Sequence, residues 1–382
     1  MNFSHEPVLA AECLEYLNIT PGCRCVVDCT VGGAGHASRI IMKLASLGGE
    51  ERLASDGAAE GTGNAAGQGP ASGAAGQSAA GGCEWRRGSG HETPEAARFI
   101  GIDRDAEAVE AAKQRIASLR CESVKCDIVH GNFANIEKIC RELGVAGAAD
   151  AILLDIGASS HQLDESRRGF SYQKDSALDM RMDQGQGLSA ADIVNEYPQE
   201  RLAEIIRAYG EERWAARIAA FIADSRKRKP IATTQELADV IKAAIPKAAR
   251  RDGPHPAKRT FQALRIEVND ELGALSAAIG QCAGMLREGG RLCIISFHSL
   301  EDRIVKNAFR DLATGCICPK DLPVCVCGQK PRMRIVTKRP IIPCGAEIES
   351  NPRARSAKLR VAEKLRQQSA GNLDFGGSAF GK

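Results

Sequence analysis

The sequence predicts an α/β fold: a parallel sheet with helices on both faces, interrupted by an inserted α-helical domain. Three observations carry this. Short apolar runs ending in an acid alternate with helical stretches, and the first of them opens a glycine-rich turn. The alternation then lapses for more than a hundred residues before the last strand.

Taken in order, Cys25-Val26-Val27-Asp28 is the first strand, followed by Asp28-Cys29-Thr30-Val31-Gly32-Gly33-Ala34-Gly35-His36 and a helix from about residue 37. Residues 98–103 form a second strand ending in Asp103, with a helix over 106–119. Residues 128–130 and 151–155 read as third and fourth strands. A helix over 271–286 leads through Gly289-Gly290 into a strand over 291–296. Paired glycines just past a helix read as its C-cap, because they tolerate positive φ. Repeated βα units of this kind imply a parallel sheet.

Between the fourth and fifth strands, Trp214, Ile218, Phe221 and Ile222 fall on one helical face, as do Leu237, Val240 and Ile241. Structureless loops of this length are uncommon. Residues 164–256 are therefore expected to form a helical substrate domain, with 1–163 and 257–365 making up the sheet domain. Residues 46–96 are dominated by Gly, Ala and Ser, with Leu47, Leu53 and Trp85 almost alone as large apolar residues. Such a segment buries too little surface to offset its ordering entropy and reads as a disordered insertion. Residues 366–382 read as a flexible tail.

The length of 382 residues favours two domains, and 43% hydrophobic with 26% charged residues suits a soluble globular chain. No apolar run approaches the roughly 18–20 residues that span a bilayer. The opening Met1-Asn2-Phe3-Ser4-His5-Glu6 lacks the basic and apolar regions of a secretory signal. The protein is expected in the cytoplasm, off the membrane. A net charge of +3 is too small to demand a polyanionic partner, but basic residues cluster at 226–229, 247–259 and 330–360. The fifteen cysteines of a cytoplasmic chain point to reduced thiols or metal rather than disulfides. Cys13, Cys140 and Cys293 stand singly among apolar residues and read as small buried hydrophobes. Cys316, Cys318, Cys325 and Cys327 have metal-like spacing. Four thiolates there could hold a structural zinc, with a reduced thiol cluster as the other reading.

The turn at 32–35 sits where a doubly wound sheet binds a nucleotide. Its glycines admit close backbone approach, and the next helix presents free N–H groups. NAD, FAD and S-adenosylmethionine (SAM) sites all use such turns, as do purely structural ones. Asp103 narrows the choice: a carboxylate ending the second strand can accept both ribose hydroxyls, about 20 residues past the glycines. Gly35 and Asp103 are 68 residues apart, and subtracting the 51 residues of 46–96 leaves 17. Phe133 follows the third strand, where a ring could pack on adenine or in the core. Asp155 ends the fourth strand, where amino-group methyltransferases present an acid or amide to the target nitrogen. His298 follows the fifth strand, as an RNA contact, part of a proton path or a structural side chain. Arg259, Arg265, Arg303, Arg353 and Arg355 are candidates for phosphate contacts, which position rather than specify.

Beyond these stand Asp155-Ile156-Gly157-Ala158-Ser159-Ser160-His161-Gln162-Leu163-Asp164, Arg168-Gly169-Phe170-Ser171-Tyr172 and Leu178-Asp179-Met180-Arg181-Met182-Asp183. Tyr209-Gly210-Glu211-Glu212-Arg213 and the run from His255 to Arg265 follow, then Ser296-Phe297-His298-Ser299-Leu300-Glu301-Asp302-Arg303 and Asn351-Pro352-Arg353-Ala354-Arg355-Ser356. With His5-Glu6-Pro7-Val8-Leu9, these motifs closely resemble the RsmH (MraW) family of 16S ribosomal RNA cytosine-N4 methyltransferases, over residues 4–365. The resemblance implies a Rossmann-like SAM-dependent methyltransferase domain with an inserted helical substrate domain. It implies SAM contacts at Ala34, Gly35, His36, Asp103, Phe133, Asp155 and Gln162. Residue 34 is Ala where many members have Gly, a change that a backbone contact survives. The implied reaction methylates N4 of a cytidine in the decoding centre of 16S rRNA, already 2′-O-methylated by a partner enzyme. The implied substrate is the assembled small ribosomal subunit, met by a monomer or homodimer.

Asp155 has two readings: a catalytic carboxylate facing the amine, with Asp179 or Asp183 ordering the loop, or mainly a cofactor contact. Two other functions compete. A DNA amino-methyltransferase is disfavoured by the absence of an Asn/Asp/Ser-Pro-Pro-aromatic tetrad after the fourth strand. A non-catalytic RNA-binding assembly factor is disfavoured by the intact Asp28, Gly35, Asp103 and Asp155. Because loop length perturbs a distant site only weakly, deleting residues 48–94 should leave SAM affinity and methylation largely intact. A severe loss of either, measured by calorimetry and by methylation of small subunits, would show the segment to be more than a tolerated loop.

Overall fold

The computed structural model describes residues 7–59, 96–250, 255–315, 318 and 326–366. Helix α1 (Ala10–Leu17) precedes β1 (Cys25–Asp28), α2 (Gly35–Ala59), β2 (Ala97–Asp103), α3 (Ala106–Ser118), β3 (Val124–His130), α4 (Ile136–Glu142) and β4 (Ala149–Asp155). Next come α5 (Ser160–Asp164), α6 (Ala190–Glu196), α7 (Gln199–Gly210), α8 (Ala215–Arg226), α9 (Thr234–Ala244) and α10 (Lys258–Asn269). The chain then rejoins the sheet through α11 (Glu271–Met285), β5 (Leu286–Ser296), α12 (Ser299–Ala313), β6 (Met333–Ile335), α13 (Gly345–Ser350) and β7 (Lys358–Lys364).

The sheet order is β3-β2-β1-β4-β5-β7-β6. The first five strands are parallel, and β7 runs antiparallel to both β5 and β6. The expected α/β class holds, with an antiparallel edge that the sequence reading did not include. The chain winds outward from β1 in one direction and from β4 in the other. The crevice at the carboxyl ends of these two strands is therefore the topological switch point, where such sheets bind ligands. One apolar cluster packs Ile136, Ile139, Leu275, Ile279, Val305 and Phe309 of α4, α11 and α12 against one sheet face. A second packs Cys13, Leu17, Ile40 and Ile41 of α1 and α2 against the other.

A third cluster, running from Phe170 to Val268, is the core of the helical unit. Ile218, Ile222, Leu237 and Ile241 are fully buried in it, while Trp214, Phe221 and Val240 are its partly buried rim. Helix α10 contributes Phe261, Leu264 and Val268 to this core. Their i, i+3, i+7 spacing makes one apolar stripe, so the helical unit extends to Asn269 rather than stopping at 256.

Two further expectations are corrected. Residues 46–59 continue α2 rather than joining the insertion. Leu, Ala, Glu and Arg are good helix formers, and extending an anchored helix avoids a new nucleation step. Residues 60–95, and the tail from 367, lie outside the described residues. The paired glycines do not cap α11, which ends at Met285 with Leu286 in extended conformation. They lie inside β5, where the register with β4 shifts between Ala149 and Ala151. Gly289 takes φ +78°, and a Cβ on Gly290 would sit 2.9 Å from the carbonyl oxygens of Ala149 and Arg287. The glycines serve a bulge, which needs positive φ and close backbone approach.

Gly169 is similarly constrained, with φ +70° and space for a Cβ closed by the Ala177 carbonyl and by Asp179 N at 2.8 Å. Gly169→Ala should therefore destabilise the protein by about 1–3 kcal/mol, seen as a lower urea midpoint at unchanged slope. An unshifted midpoint would refute this.

Candidate active site

Three adjacent strands end in acids at the switch point: Asp103 on β2, Asp28 on β1 and Asp155 on β4. Asp28 pairs in register with Gly101 and with Leu153, so its neighbours reach two residues further out. Asp28 is 1% exposed. Its Oδ1 accepts the Thr30 N–H at 3.1 Å, whereas Oδ2 is buried with no hydrogen-bond partner. Burial pushes its carboxyl up to about 6, against the opposing pull of His36. Asp103 accepts Gly32 N–H and Asp105 N–H, each at 2.9 Å. Burial outweighs these bonds and pushes it to about 6 as well. Asp155 donates its backbone N–H to Thr30 Oγ1 at 2.7 Å, and its Oδ2 lies 3.6 Å from His36 Nε2. Its Oδ1 and that same His36 nitrogen are buried without hydrogen-bond partners.

The turn between β1 and α2 explains the glycines. Gly32 takes φ +48° and Ala34 φ +58°. Ala34 thus occupies a left-handed conformation that favours glycine. Gly35 is tightly packed, since a Cβ would lie 3.2 Å from Pro7 Cβ. Gly101 lets the turn pack down on the sheet: a Cβ there would lie 2.9 Å from Val31 Cγ2.

Phe133 opens a single 3-10 turn after β3 and is partly buried against the core. Gln162, 4% exposed, belongs to the Ser159 capping box of α5. Its Oε1 accepts Ser159 N–H at 3.0 Å, and its Nε2 donates to Asp105 Oδ2 at 2.8 Å. The structure thus brings Ala34, Gly35, His36, Asp103 and Asp155 to one edge, with Phe133 in the turn just past β3 and Gln162 in the segment after β4. Thr30 and Asp105 join them and were not singled out in the sequence. Asp105 is the N-cap of α3, accepting Glu107 N–H, a role that its position just after a strand could have suggested.

The buried Asp28 Oδ2, His36 Nε2 and Asp155 Oδ1 provide a test of fit. Each unpartnered buried polar atom costs roughly 1–3 kcal/mol, and two of these atoms are carboxylate oxygens. A ligand bringing donors and positive charge would offset that cost. SAM carries an ammonium, a sulfonium and ribose hydroxyls, so the residues present fit it.

Other candidates resolve differently. His298 is the N-cap of α12, with Nε2 3.0 Å from Glu301 Oε1. Glu271 lies close enough to group with both, but Arg265 takes both of its oxygens at 2.8 and 2.9 Å. The four residues therefore form an ion cluster at the meeting of α10, α11 and α12. Arg265 drops out as a phosphate contact, because its guanidinium is largely buried and already bidentate. Arg259, Arg303, Arg353 and Arg355 are exposed, with Arg303 paired to Glu211 and Arg353 to Asp164. Asp179 binds Arg181 through both oxygens, and Asp183 accepts Gly185 N–H at 2.8 Å. Cys316 and Cys325 lie outside the described residues, and with them the zinc question. Among the described residues no helix is long and apolar enough to cross a membrane.

A doubly wound sheet with a glycine turn and buried acids at its switch point defines a nucleotide-type ligand-binding α/β protein carrying a helical insertion. The chain belongs to the MraW methylase family, whose model matches residues 2–57 and 91–365. The internal residues it leaves unmatched, 58–90, fall within the Gly/Ala-rich segment. Similar proteins include the ribosomal RNA small subunit methyltransferases H of Clostridioides difficile and Geobacter sulfurreducens, each 47% identical over 365 residues. The alignment with the C. difficile protein covers 96% of this chain and all of the relative.

The raised carboxyl of Asp28 fixes the sign of a stability effect. Its folded value of about 6 exceeds the ordinary 3.8, so the folded state keeps its proton longer than the unfolded chain. Stability from this group is therefore lost as pH rises through about 4 to 6. Asp28→Asn, which does not titrate, should gain on the wild type by about 1–2 kcal/mol between pH 5 and 7.5. Urea unfolding of the unliganded proteins measures this, and parallel pH profiles would contradict it.

Proposed function

We propose that this chain methylates the N4 amine of a cytidine in the decoding centre of 16S rRNA, acting with SAM on the small ribosomal subunit in the cytoplasm. The observation that carries the reading is the row of strand-end acids, with Asp155 Oδ1 buried and unpartnered beside the glycine turn. Family membership and the relatives' names support rRNA as the substrate class.

Ala34, Gly35, His36, Asp103, Phe133 and Gln162 would hold SAM: turn backbone near its charged end, Asp103 on the ribose and Phe133 on the adenine. When bound, SAM supplies a methyl group made electrophilic by a cationic sulfur. The amine of cytosine is a weak nucleophile because its lone pair is conjugated into the ring. Holding it in one orientation removes much of the barrier. Asp155 suits this task, since an acceptor without a protein donor can take an amine N–H and align the nitrogen. As the nitrogen gains its methyl group, the same carboxylate receives the departing proton at Oδ1. No Lewis acid is needed for such a step. The second reading, Asp155 as mainly a cofactor contact, is favoured by its 3.6 Å approach to His36 in the turn.

Asp155→Asn separates these readings: it should lower turnover about 100-fold while SAM affinity by calorimetry changes little. Undiminished turnover would exclude proton acceptance, and a large affinity loss would favour the cofactor role. Mapping methylated bases on ribosomes from a deletion strain tests the substrate. Loss of one N4-methylated cytidine is expected. Intact rRNA with altered DNA methylation would point to the DNA reading, and absence of SAM binding to a non-catalytic assembly factor.

A further inference from the structure

Arg168, which no part of the proposed chemistry uses, is fully buried. A guanidinium taken out of water needs its N–H groups met by acceptors of high quality, so where they point is informative. Nη1 lies 2.9 Å from Asp105 Oδ2 and donates to Glu107 Oε2 at 3.2 Å, both at the start of α3 in the sheet unit. Nη2 donates to the carbonyls of Arg181 at 3.0 Å and Met182 at 2.8 Å. Those carbonyls belong to the 179–183 segment, which enters the helical unit. The same segment is gripped from its other side by α10: Asn269 Nδ2 donates to Met180 O, and Asn269 Oδ1 accepts Met182 N–H, each at 2.8 Å.

The Asp105 oxygen that faces Arg168 is also the one that accepts Gln162 Nε2. With Oε1 tied to Ser159 N–H, the planar Gln162 amide is held at both ends. Its second Nε2 hydrogen is then fixed in a single direction. We infer that Arg168 is a positioning residue that acts through Asp105 to aim the Gln162 amide at the cofactor and ties that setting to the docked 179–183 segment. The inference rests on the reading of Gln162 as a SAM contact.

Lysine is a poor replacement. One ammonium can satisfy Asp105 and Glu107, but it lacks the planar fork that reaches two carboxylates and two carbonyls in opposite directions. Asp105 would keep its charge but lose its set position, and with it the direction of Gln162.

The test is a double-mutant cycle read as SAM dissociation constants by calorimetry. Arg168→Lys should raise Kd about tenfold, as should Gln162→Ala. The double variant should be no weaker than the worse single one, because both changes remove the same interaction. Asp105→Asn, which preserves an N-cap for α3, serves if Arg168→Lys does not fold, and should show the same non-additivity. A folded Arg168→Lys or Asp105→Asn variant with wild-type Kd would overturn the inference. Multiplicative losses in the cycle would also overturn it, since a general structural weakening acts independently of Gln162. Failure of the wild-type protein to bind SAM is a different outcome: it removes the cofactor reading itself, and this inference with it.

Discussion

Parallel pairing sets Asp28 back by two residues between Asp103 and Asp155, so three carboxylates share the ends of adjacent strands at the switch point. The protein satisfies both oxygens of Asp103 but only part of Asp28 and Asp155. Asp28 Oδ2 and Asp155 Oδ1 are buried without hydrogen-bond partners, and burial raises the carboxyls of Asp28 and Asp103 to about 6. Much of the surrounding structure holds this arrangement in place. Thr30 binds both Asp28 and Asp155, tying two strand ends together through one side chain. Gly32 offers its N–H to Asp103 from a left-handed turn, and Gly101 leaves the space that brings the turn down onto the sheet. Stability is given up at this edge and regained in the apolar layers on both faces, where Ile152, Leu154 and Ile294 on one side and Val26, Leu153 and Ile295 on the other are fully buried.

The helical unit has a separate core but is not a separate attachment. Its last helix, α10, runs directly into α11 of the sheet unit across Asp270, and Asn269 at the junction holds Met180 and Met182. Arg104, next to Asp103, donates to Asn269 O at 2.7 Å and to Gln186 Oε1 at 3.0 Å. Arg168 makes the matching link from the other side. The acids that would face a cofactor and the segment that opens the helical unit are thus one to three side chains apart, all in polar contacts with little exposure. Hydrogen bonds of this kind are directional, so they fix the relative setting of the two units more narrowly than apolar packing would.

Strands that end in acids and lie buried on both faces are legible because their apolar runs are continuous. Residues 25–28, 98–103 and 151–155 were read within two residues of their observed bounds. The antiparallel strand β7 was not, because Lys358-Leu359-Arg360-Val361-Ala362-Glu363-Lys364 spreads its charges along the strand. Arg360 is buried only by pairing with Asp302 at 2.6 Å, a partner 58 residues away that no local pattern reveals. The boundary of the helical unit was misjudged for a related reason. Periodicity shows that α10 has an apolar stripe but not which core receives it. Asp103 was recoverable once the insertion was subtracted, because the chain spacing to a ribose acceptor is set by one strand–helix–strand unit. Arg265 read as a phosphate-contact candidate in sequence, and only the fold shows Glu271, six residues on and just past the break at Asp270, accepting from its Nε and Nη2.

The unpartnered atoms also bear on how the site would behave through a catalytic cycle. An unliganded site with buried, unneutralised carboxylates is destabilised relative to one holding a cation, so ligand binding should draw part of its free energy from relieving that strain. Asp28 would serve this purpose whether or not it touches reacting atoms. Asp155 differs from the buried Asp28, because its side chain is 26% exposed and its Oδ2 faces the buried His36. On the proposed reading, it would meet both a ligand in the turn and a substrate approaching from outside. On the same proposed reading, that position, rather than any difference in residue type among the three acids, would let it take a proton from an incoming amine.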